Sequence, residues 1–436
     1  MGPTASPGRR ILFVTDLDVW LLQEGARAVE KAGNQSLYNT LLGYARAGWQ
    51  VDVLTPREIH GDLDRLPGGI RIHRAPLALQ EPVRAFRRWR ERLRPPGRPP
   101  PGGPRTRLDP RAVENRGRFL AFQAEMTLRT LRRCFPRPPD VLYGYEIYGA
   151  PVAAFLGRRL GIVSVTRFQG TLLSAWMDDP QVFQSLRMNR LALSAPSDLV
   201  VMADDGTRGD EVLARLGVPR DRVRFWINGV VKEDLEAARR RMGEAPEDDG
   251  VLRLLTASRL VEWKRVDRVL RLVAGLPGDL PPWRLHVAGD GPERPALERM
   301  ALDLGLGDRV VFEGALPHDR VLDLLVRSGG YLSLYDLSNL SNGVLEAMVA
   351  GVPVFTLDVG GTSHVVRHGE SGVLLDPRDL DREGPGILSR WIRDAAWRRT
   401  LAEGAARTGR TLRTWEERMR QEVGEVEALV RMRSRA

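Results

Sequence analysis

The chain has 436 residues, 42% of them hydrophobic and 28% charged, with a formal net charge of +10. That length exceeds one ordinary core and favours two domains, and the composition is that of a globular protein with no apolar run long enough to span a bilayer. A lone cysteine, Cys134, excludes an internal disulfide framework and fits a reducing cytoplasm, while six scattered histidines lack the spacing of a zinc site.

The basic charge is carried by 63 arginines and only three lysines, Lys31, Lys232 and Lys264. Such a skew reads as compositional drift, which makes each lysine notable. A basic balance points to anionic partners. The opening MGPTASPGRR lacks the apolar core of a secretory signal and matches a loose myristoylation pattern only at Gly2 and Ser6.

RRILFVTDL reads as a buried first strand, and SLYNTLLGYARAGWQVDVLTP as a helix, a glycine stop and a second strand. An interruption follows over 81–110. There Val83, Phe86, Trp89 and Leu93 gather on one helical face, and nine arginines from Arg84 to Arg107 meet a single acid, Glu91. This is the pattern of a helix lying on an anionic membrane surface through 81–107. The plain alternative is a charged helix packed on its own domain. The second half of the interruption, rich in Pro, Gly and Arg, is expected to be mobile.

Apolar strands recur at 140–145, 162–168, 198–204 and 222–229, with GAPVAAFLGRRLG as a helix between the first two. This alternation predicts a parallel, doubly wound α/β sheet. GEAPEDDG (243–250) reads as a linker. The β-α pattern then restarts with VLRLLTASRL, WRLHVAGDG, RVVFEGAL, GGYLSLYD, VPVFTLDVGG and SGVLL. From about 385 the chain is helical and charged. The expected organisation is a domain over 1–240, a second over 250–384, and a tail over 385–436 that packs back toward the first. A cleft between such domains is where a small-molecule site is expected.

In ASRLVEWKRVDR a strand ends near Ser258, and Arg259 and Lys264 fall in the turn that follows. Two cations beside the free N–H groups of a helix start form a diphosphate-binding device. The plain alternative is two more basic residues in an arginine-rich chain. VAGDGPERPALE adds a glycine-rich strand end, Gly289 and Gly291, and FEGALP, with Ala315, a turn whose backbone can pair with a flat heterocycle. LSNGVLEAMVAG sets one acid, Glu346, in an apolar helix. It is either a carboxylate tolerated by the dipole of a helix capped by Ser341 or Asn342, or a bidentate acceptor for a ribose diol.

In this order the motifs resemble the retaining family 4 glycosyltransferases (glycosyl transferases group 1). SRLVEWKRVDR, AGDGPERPALE, VVFEGALPHDRVLDLL and LEAMVAGVPVFTLDVGG carry the resemblance, together with SDLVVMADDGTRGDEVLARLGVPRDRVRFWINGV. It implies a GT-B fold, two Rossmann-like domains facing across a cleft. It also implies transfer of a sugar from a UDP- or GDP-sugar to a glycan or lipid-linked acceptor, with retention and with neither metal nor cofactor, in cell-envelope polysaccharide assembly. By the same resemblance Arg259 and Lys264 hold the diphosphate and neutralise the leaving group, and Glu346 grips the ribose. Amides from Leu340, Ser341, Asn342 and Gly343 meet the distal phosphate and the sugar. Ser338, Asn339, Gly289 and Ala315 complete the donor side, and Gly33, Arg167 and Gln169 are candidates on the acceptor side.

Three positions depart from the family pattern. Ser338 stands where an acid usually contacts the donor sugar, with Asp336 two residues upstream. His364 replaces an acid after the double glycine. Gln169 stands where a histidine near the reacting sugar is common, and Arg167 is expected to compensate by meeting an anionic group. A non-catalytic relative and a GT-B epimerase are the alternatives; the latter needs cleft acids that the sequence does not identify. The DLD triplets at Asp16–Asp18 and Asp62–Asp64 are chance matches to a metal-binding motif. Tyr143, Tyr145 and Tyr148 read as aromatics at the edge of the core. Sparse aromatic interleaving and the lack of a helix-turn-helix pattern argue against nucleic acid.

Overall fold

The computed structural model describes residues 8–17, 19–20, 35–57, 59–60, 68–78, 116–243 and 249–435. Lys31, Gly33, Asp18, Asp62, Asp64 and the interruption at 81–110 lie outside the described residues.

The first sheet has seven parallel strands: β1 (Arg10–Val14), β2 (Gln50–Thr55), β3 (Ile70–Arg74), β4 (Val141–Tyr145), β5 (Val163–Phe168), β6 (Leu199–Ala203) and β7 (Val223–Trp226), in the spatial order β3-β2-β1-β4-β5-β6-β7. The second has six: β8 (Leu252–Ala257), β9 (Trp283–Ala288), β10 (Val310–Gly314), β11 (Gly330–Ser333), β12 (Val354–Leu357) and β13 (Gly372–Leu375), ordered β10-β9-β8-β11-β12-β13. Both orders reverse direction beside their first strand. That reversal is the switch point where Rossmann-like sheets bind ligands beyond the strands' carboxyl ends.

Strands buried on both faces read as unbroken apolar runs, and RILFV, VLYGY and LVVMA are of that kind, with all but Arg10 buried. The helices between them carry one apolar stripe. In Val266–Ala274, Val266, Val269, Leu270 and Val273 are all buried, at the i, i+3, i+4, i+7 spacing that faces one side.

The chain crosses between the domains twice, and the crossings are tied together: Val230 N–H donates to Arg413 O (3.0 Å) and Trp415 N–H to Val230 O (3.3 Å). The helix Ala395–Thr411 packs on the second domain, with Leu401 and Ala405 in its core. The last helix, Trp415–Arg433, returns to the first domain. Thr414 and Glu417 cap it reciprocally, and Trp415, Met419, Val423, Val426 and Val430 enter the core of the seven-stranded sheet. Among the described residues no helix is long and apolar enough to cross a membrane.

Candidate active site

At the switch point of the second sheet, β8 ends at Ala257 and the chain turns through Ser258 and an exposed Arg259 into a single 3₁₀ turn, Glu262–Lys264. Lys264 Nζ lies 4.2 Å from the centroid of the Trp263 ring and 3.7 Å from that of Tyr335, so the ammonium is boxed between two aromatic faces. Burial, reinforced by the Arg259 charge and opposed by Asp205 of the facing domain, brings its amino group down to about 7. Arg265, in the left-handed region at φ 48°, is buried and pairs with Asp267 (2.8 Å) and Asp336 (3.1 Å), while Arg268 also takes Asp336 (2.8 Å). Asp336 is therefore committed to two arginines and is not available to stand in for the acid that position 338 lacks.

From the neighbouring strand β11, the loop to the helix Asn342–Ala350 is organised by Asn339. Its side chain is fully buried, accepting from Tyr335 N–H (3.0 Å) and donating to Tyr335 O (2.9 Å). The Leu340 amide, expected to face a ligand, donates instead to Asp205 O at 2.8 Å. Ser341 holds the N-cap position without a side-chain capping bond. Asn342 and Gly343 open the helix, where amides have no intrahelical acceptor. Asn342 Nδ2 donates to Gln35 Oε1 of the other domain (3.1 Å). One turn into the helix, Glu346 is 9% exposed and its Oε1 meets His318 Nε2 at 3.0 Å. Burial opposes the imidazolium of His318, yet Glu346 and then Asp234 hold its pKa above the ordinary value.

Gly289, at φ 135°, sits against the end of β8, and a Cβ there would lie 1.8 Å from Ser258 O, so only glycine lets the two strand ends meet. Ala315, just past β10, is half-buried, and its backbone carries no hydrogen bond among the described residues.

The facing domain contributes from the ends of β4, β5 and β6. Glu146 follows β4 directly at φ 63°, and its carboxylate accepts the Gln169 N–H at 2.9 Å. Burial above all, with the Asp205 charge, pushes its pKa up to about 7 against that hydrogen bond. Gln169 is held by Tyr145 Oη (2.8 Å) and by Asn228 Nδ2 (2.9 Å). Asp204 and Asp205 follow β6. Asp205 accepts from Ser338 Oγ (2.5 Å) and Thr207 Oγ1 (2.7 Å), and Asp204 meets His364 Nδ1 (3.2 Å). Burial raises both carboxyl pKa values, with those hydrogen bonds working the other way. The loops approach closely here: a Cβ on Gly360 would lie 2.1 Å from Gly206 O.

Arg167 corrects an expectation. It does meet an anionic group, but inside the protein. Its guanidinium is 1% exposed, donates to Glu422 Oε2 of the last helix at 2.7 Å and to Asn228 Oδ1 at 3.2 Å, and is closed off from the cleft. The structure thus brings together Arg259, Lys264, Ser338, Asn342, Glu346 and Gln169 around the cleft, and retires Arg167, Asn339 and the Leu340 amide into internal contacts. Glu146, Asp205 and His318 are absent from the sequence-based set. A signal for the first two exists: Glu146 directly follows an apolar strand and Asp205 follows another after one residue, at the carboxyl ends where sites form in such sheets.

Residues 239–405 match the family of glycosyl transferases group 1. A D-inositol 3-phosphate glycosyltransferase of Thermomonospora curvata is 33% identical over 196 residues, covering 42% of this chain and 44% of that protein. The chain spans half or less of the length of the first three curated relatives that it matches. Among solved structures, sucrose-phosphate synthase from Thermosynechococcus elongatus superposes with a TM-score of 0.69 at 20% identity, over 97% of this chain and 99% of that one. Anabaena HepE, solved in complex with UDP and glucose, gives 0.65 at 17% identity, over 96% and 99%. At such identities the likeness shows the fold: two Rossmann-like domains facing across a cleft, the GT-B arrangement.

Proposed function

We propose that the protein transfers a sugar from a nucleoside diphosphate sugar to a hydroxyl of a glycan or lipid-linked acceptor, with retention at the anomeric carbon and without a metal ion. One observation carries this reading: the switch point of the second sheet collects two cations, Arg259 and Lys264, with a helix start and a carboxylate, Glu346, one turn along that helix. These are the chemistries a diphosphate and a ribose diol require. The match of 239–405 to glycosyl transferases group 1 and the likeness to a fold solved with UDP and glucose support it.

As the bond between the anomeric carbon and the diphosphate oxygen breaks, its electron pair stays with the diphosphate. Arg259 and Lys264 meet the charge that grows there, the kind of interaction that accelerates a reaction because it strengthens in the transition state. Asn342 and Gly343 supply helix-start amides, and Glu346 accepts the ribose hydroxyls. Asp205, fixed by Ser338 Oγ, brings from the facing domain the carboxylate that position 338 does not itself carry. We place this activity in cell-envelope polysaccharide assembly, in the cytoplasm at the inner face of the membrane, with the basic segment 81–107 as the candidate membrane contact.

A second reading, epimerisation of the nucleotide sugar itself, has one observation in its favour: Glu146 and Asp205 are cleft acids of the kind such chemistry needs. The test is to incubate the full chain with UDP- and GDP-sugars, with and without glycan and polyprenyl-linked acceptors. Release of UDP or GDP that requires an acceptor and survives EDTA supports transfer. An epimeric nucleotide sugar formed without acceptor supports the second reading. No turnover, with no nucleotide sugar shifting the melting temperature, contradicts both.

A further inference from the structure

Apart from the cleft, a cavity of about 390 Å³ lies against the first sheet, between Arg10 and Leu12 of β1, Asp52 of β2, Arg71 and His73 of β3 and the last turn of the helix Arg116–Arg133. Its floor is Asp52, 4% exposed, on which three side chains converge: Arg71 at 3.0 Å, Arg10 at 3.2 Å and the imidazole of His73 at 2.9 Å. One carboxylate offers about four lone-pair sites, and these are largely taken. Arg132 and Arg133 also line the cavity, and among the described residues neither has a carboxylate partner. One turn earlier on the same helix, Arg129 is answered by Glu125 at 3.3 Å. The nearby acid Asp140 accepts the backbone amide of Arg10 (2.7 Å).

Arg132 and Arg133 do lie at a helix C-terminus, where a cation is favoured. That end carries only about half an elementary charge, so it offsets less than one of the two. The cavity therefore gathers four guanidinium groups against a single carboxylate that two of them already share with His73. Guanidinium forks match the oxygens of a phosphate in paired hydrogen bonds. The space suits a small ligand, and Phe135, 64% exposed at the rim, adds apolar surface for an organic substituent.

We propose that this cavity binds a phosphate-bearing anion, at a site separate from the interdomain cleft and independent of the reaction proposed for it. The phosphate can come from a free phosphorylated small molecule or from a lipid headgroup. The test titrates inorganic phosphate into the full chain and into an Arg132→Ser/Arg133→Ser double variant by calorimetry at low salt, with UDP as a control for the cleft. The expected result is a saturable phosphate site whose affinity falls about tenfold or more in the variant, with UDP binding and the ligand-free melting temperature unchanged. No saturable phosphate binding to the wild type, or the same isotherm for both proteins, overturns the proposal. A failure of UDP to bind either protein would bear on the cleft alone. Sedimentation with phosphatidylglycerol and phosphatidylcholine vesicles separates the sources. Retention on phosphatidylglycerol that phosphate competes and that is weaker in the variant than in the wild type identifies a headgroup. Equal retention of the two proteins, with the calorimetric difference intact, identifies a free phosphate.

Discussion

Ser338 Oγ donates to Asp205 Oδ2 at 2.5 Å across the domain cleft. The serine stands on the second domain and the acid on the first, so the pair forms only when the domains face each other. Beside it the Leu340 amide donates to the carbonyl of the same Asp205 (2.8 Å). If that carboxylate meets the donor sugar, Asp205→Asn should lower kcat by about 10²–10³, the usual loss for one electrostatic donor or acceptor at a reacting centre. UDP affinity should stay within about twofold, because the proposed nucleotide site is on the other domain. Steady-state kinetics beside UDP calorimetry read both, and an unchanged kcat would remove Asp205 from the site.

Glu346 and His318 form a pair that the ribose of the proposed donor must share or displace. Glu346→Gln should weaken UDP or GDP by about 1.5–3 kcal/mol, the worth of a charge-assisted hydrogen bond, while leaving folding intact. Equal nucleotide affinities in wild type and variant would return Glu346 to the role of a carboxylate at a helix start.

On the proposed reading, Lys264 makes nucleotide binding depend on pH. In the free protein its amino group lies at about 7, lowered first by burial and then by Arg259. A bound diphosphate favours the ammonium, so the group takes up a proton on binding whenever the free protein holds it neutral. Affinity should therefore be highest below pH 7 with respect to this group and fall as pH rises above it, by up to about tenfold per unit. Calorimetry in buffers of different ionisation enthalpy should detect proton uptake near pH 8, and Lys264→Gln should abolish it. Uptake that persists in the variant would assign the proton elsewhere.

Glu422 tests the clasp between the last helix and the first domain. It is fully buried and accepts from Arg167 (2.7 Å), Arg418 (3.0 Å) and Tyr143 Oη (2.6 Å). Removing the charge leaves two buried guanidinium groups short of a counter-ion, so Glu422→Gln should cost about 3–5 kcal/mol in denaturant unfolding. Burial works to raise the Glu422 pKa, but Arg167 and Arg418 hold it below the usual carboxylate value. The stabilisation is therefore present above the ordinary glutamate pKa and is lost as pH falls through the lowered one. The gap between wild type and Glu422→Gln should close in that acid range and not near neutrality.

Much of the fold is legible in the sequence because the central strands are buried on both faces and appear as unbroken apolar runs. The edge strand Ile70–Arg74 is not. In IRIHR only Ile70 is buried, so the stretch looks like polar loop. The helix Arg116–Arg133 hides for a related reason, its buried stripe of Phe119, Phe122 and Met126 being diluted by arginines and by the exposed Leu120 and Leu128. At the candidate site, local context singles out Arg259, Lys264 and Glu346, cations at a strand-to-helix turn and an acid in an apolar helix. Asp205 is marked only by its place just past an apolar strand; Ser338, which gives it meaning, lies 133 residues away on the other domain. Arg167 misleads for the same reason: its partner Glu422 is 255 residues further along the chain.

The most direct measurement is the steady-state turnover of a nucleotide sugar by wild type and by Lys264→Ala, with donor affinity measured alongside. The wild type should show acceptor-dependent turnover that resists EDTA. In the variant kcat should fall by about 10²–10³ with a much smaller change in donor affinity, since the leaving-group charge grows in the transition state. The double variant Arg259→Ala/Lys264→Ala should lose less than the sum of the single losses, because both cations serve one diphosphate. Turnover that Lys264→Ala leaves intact, or that EDTA abolishes in the wild type, would contradict the proposed reaction.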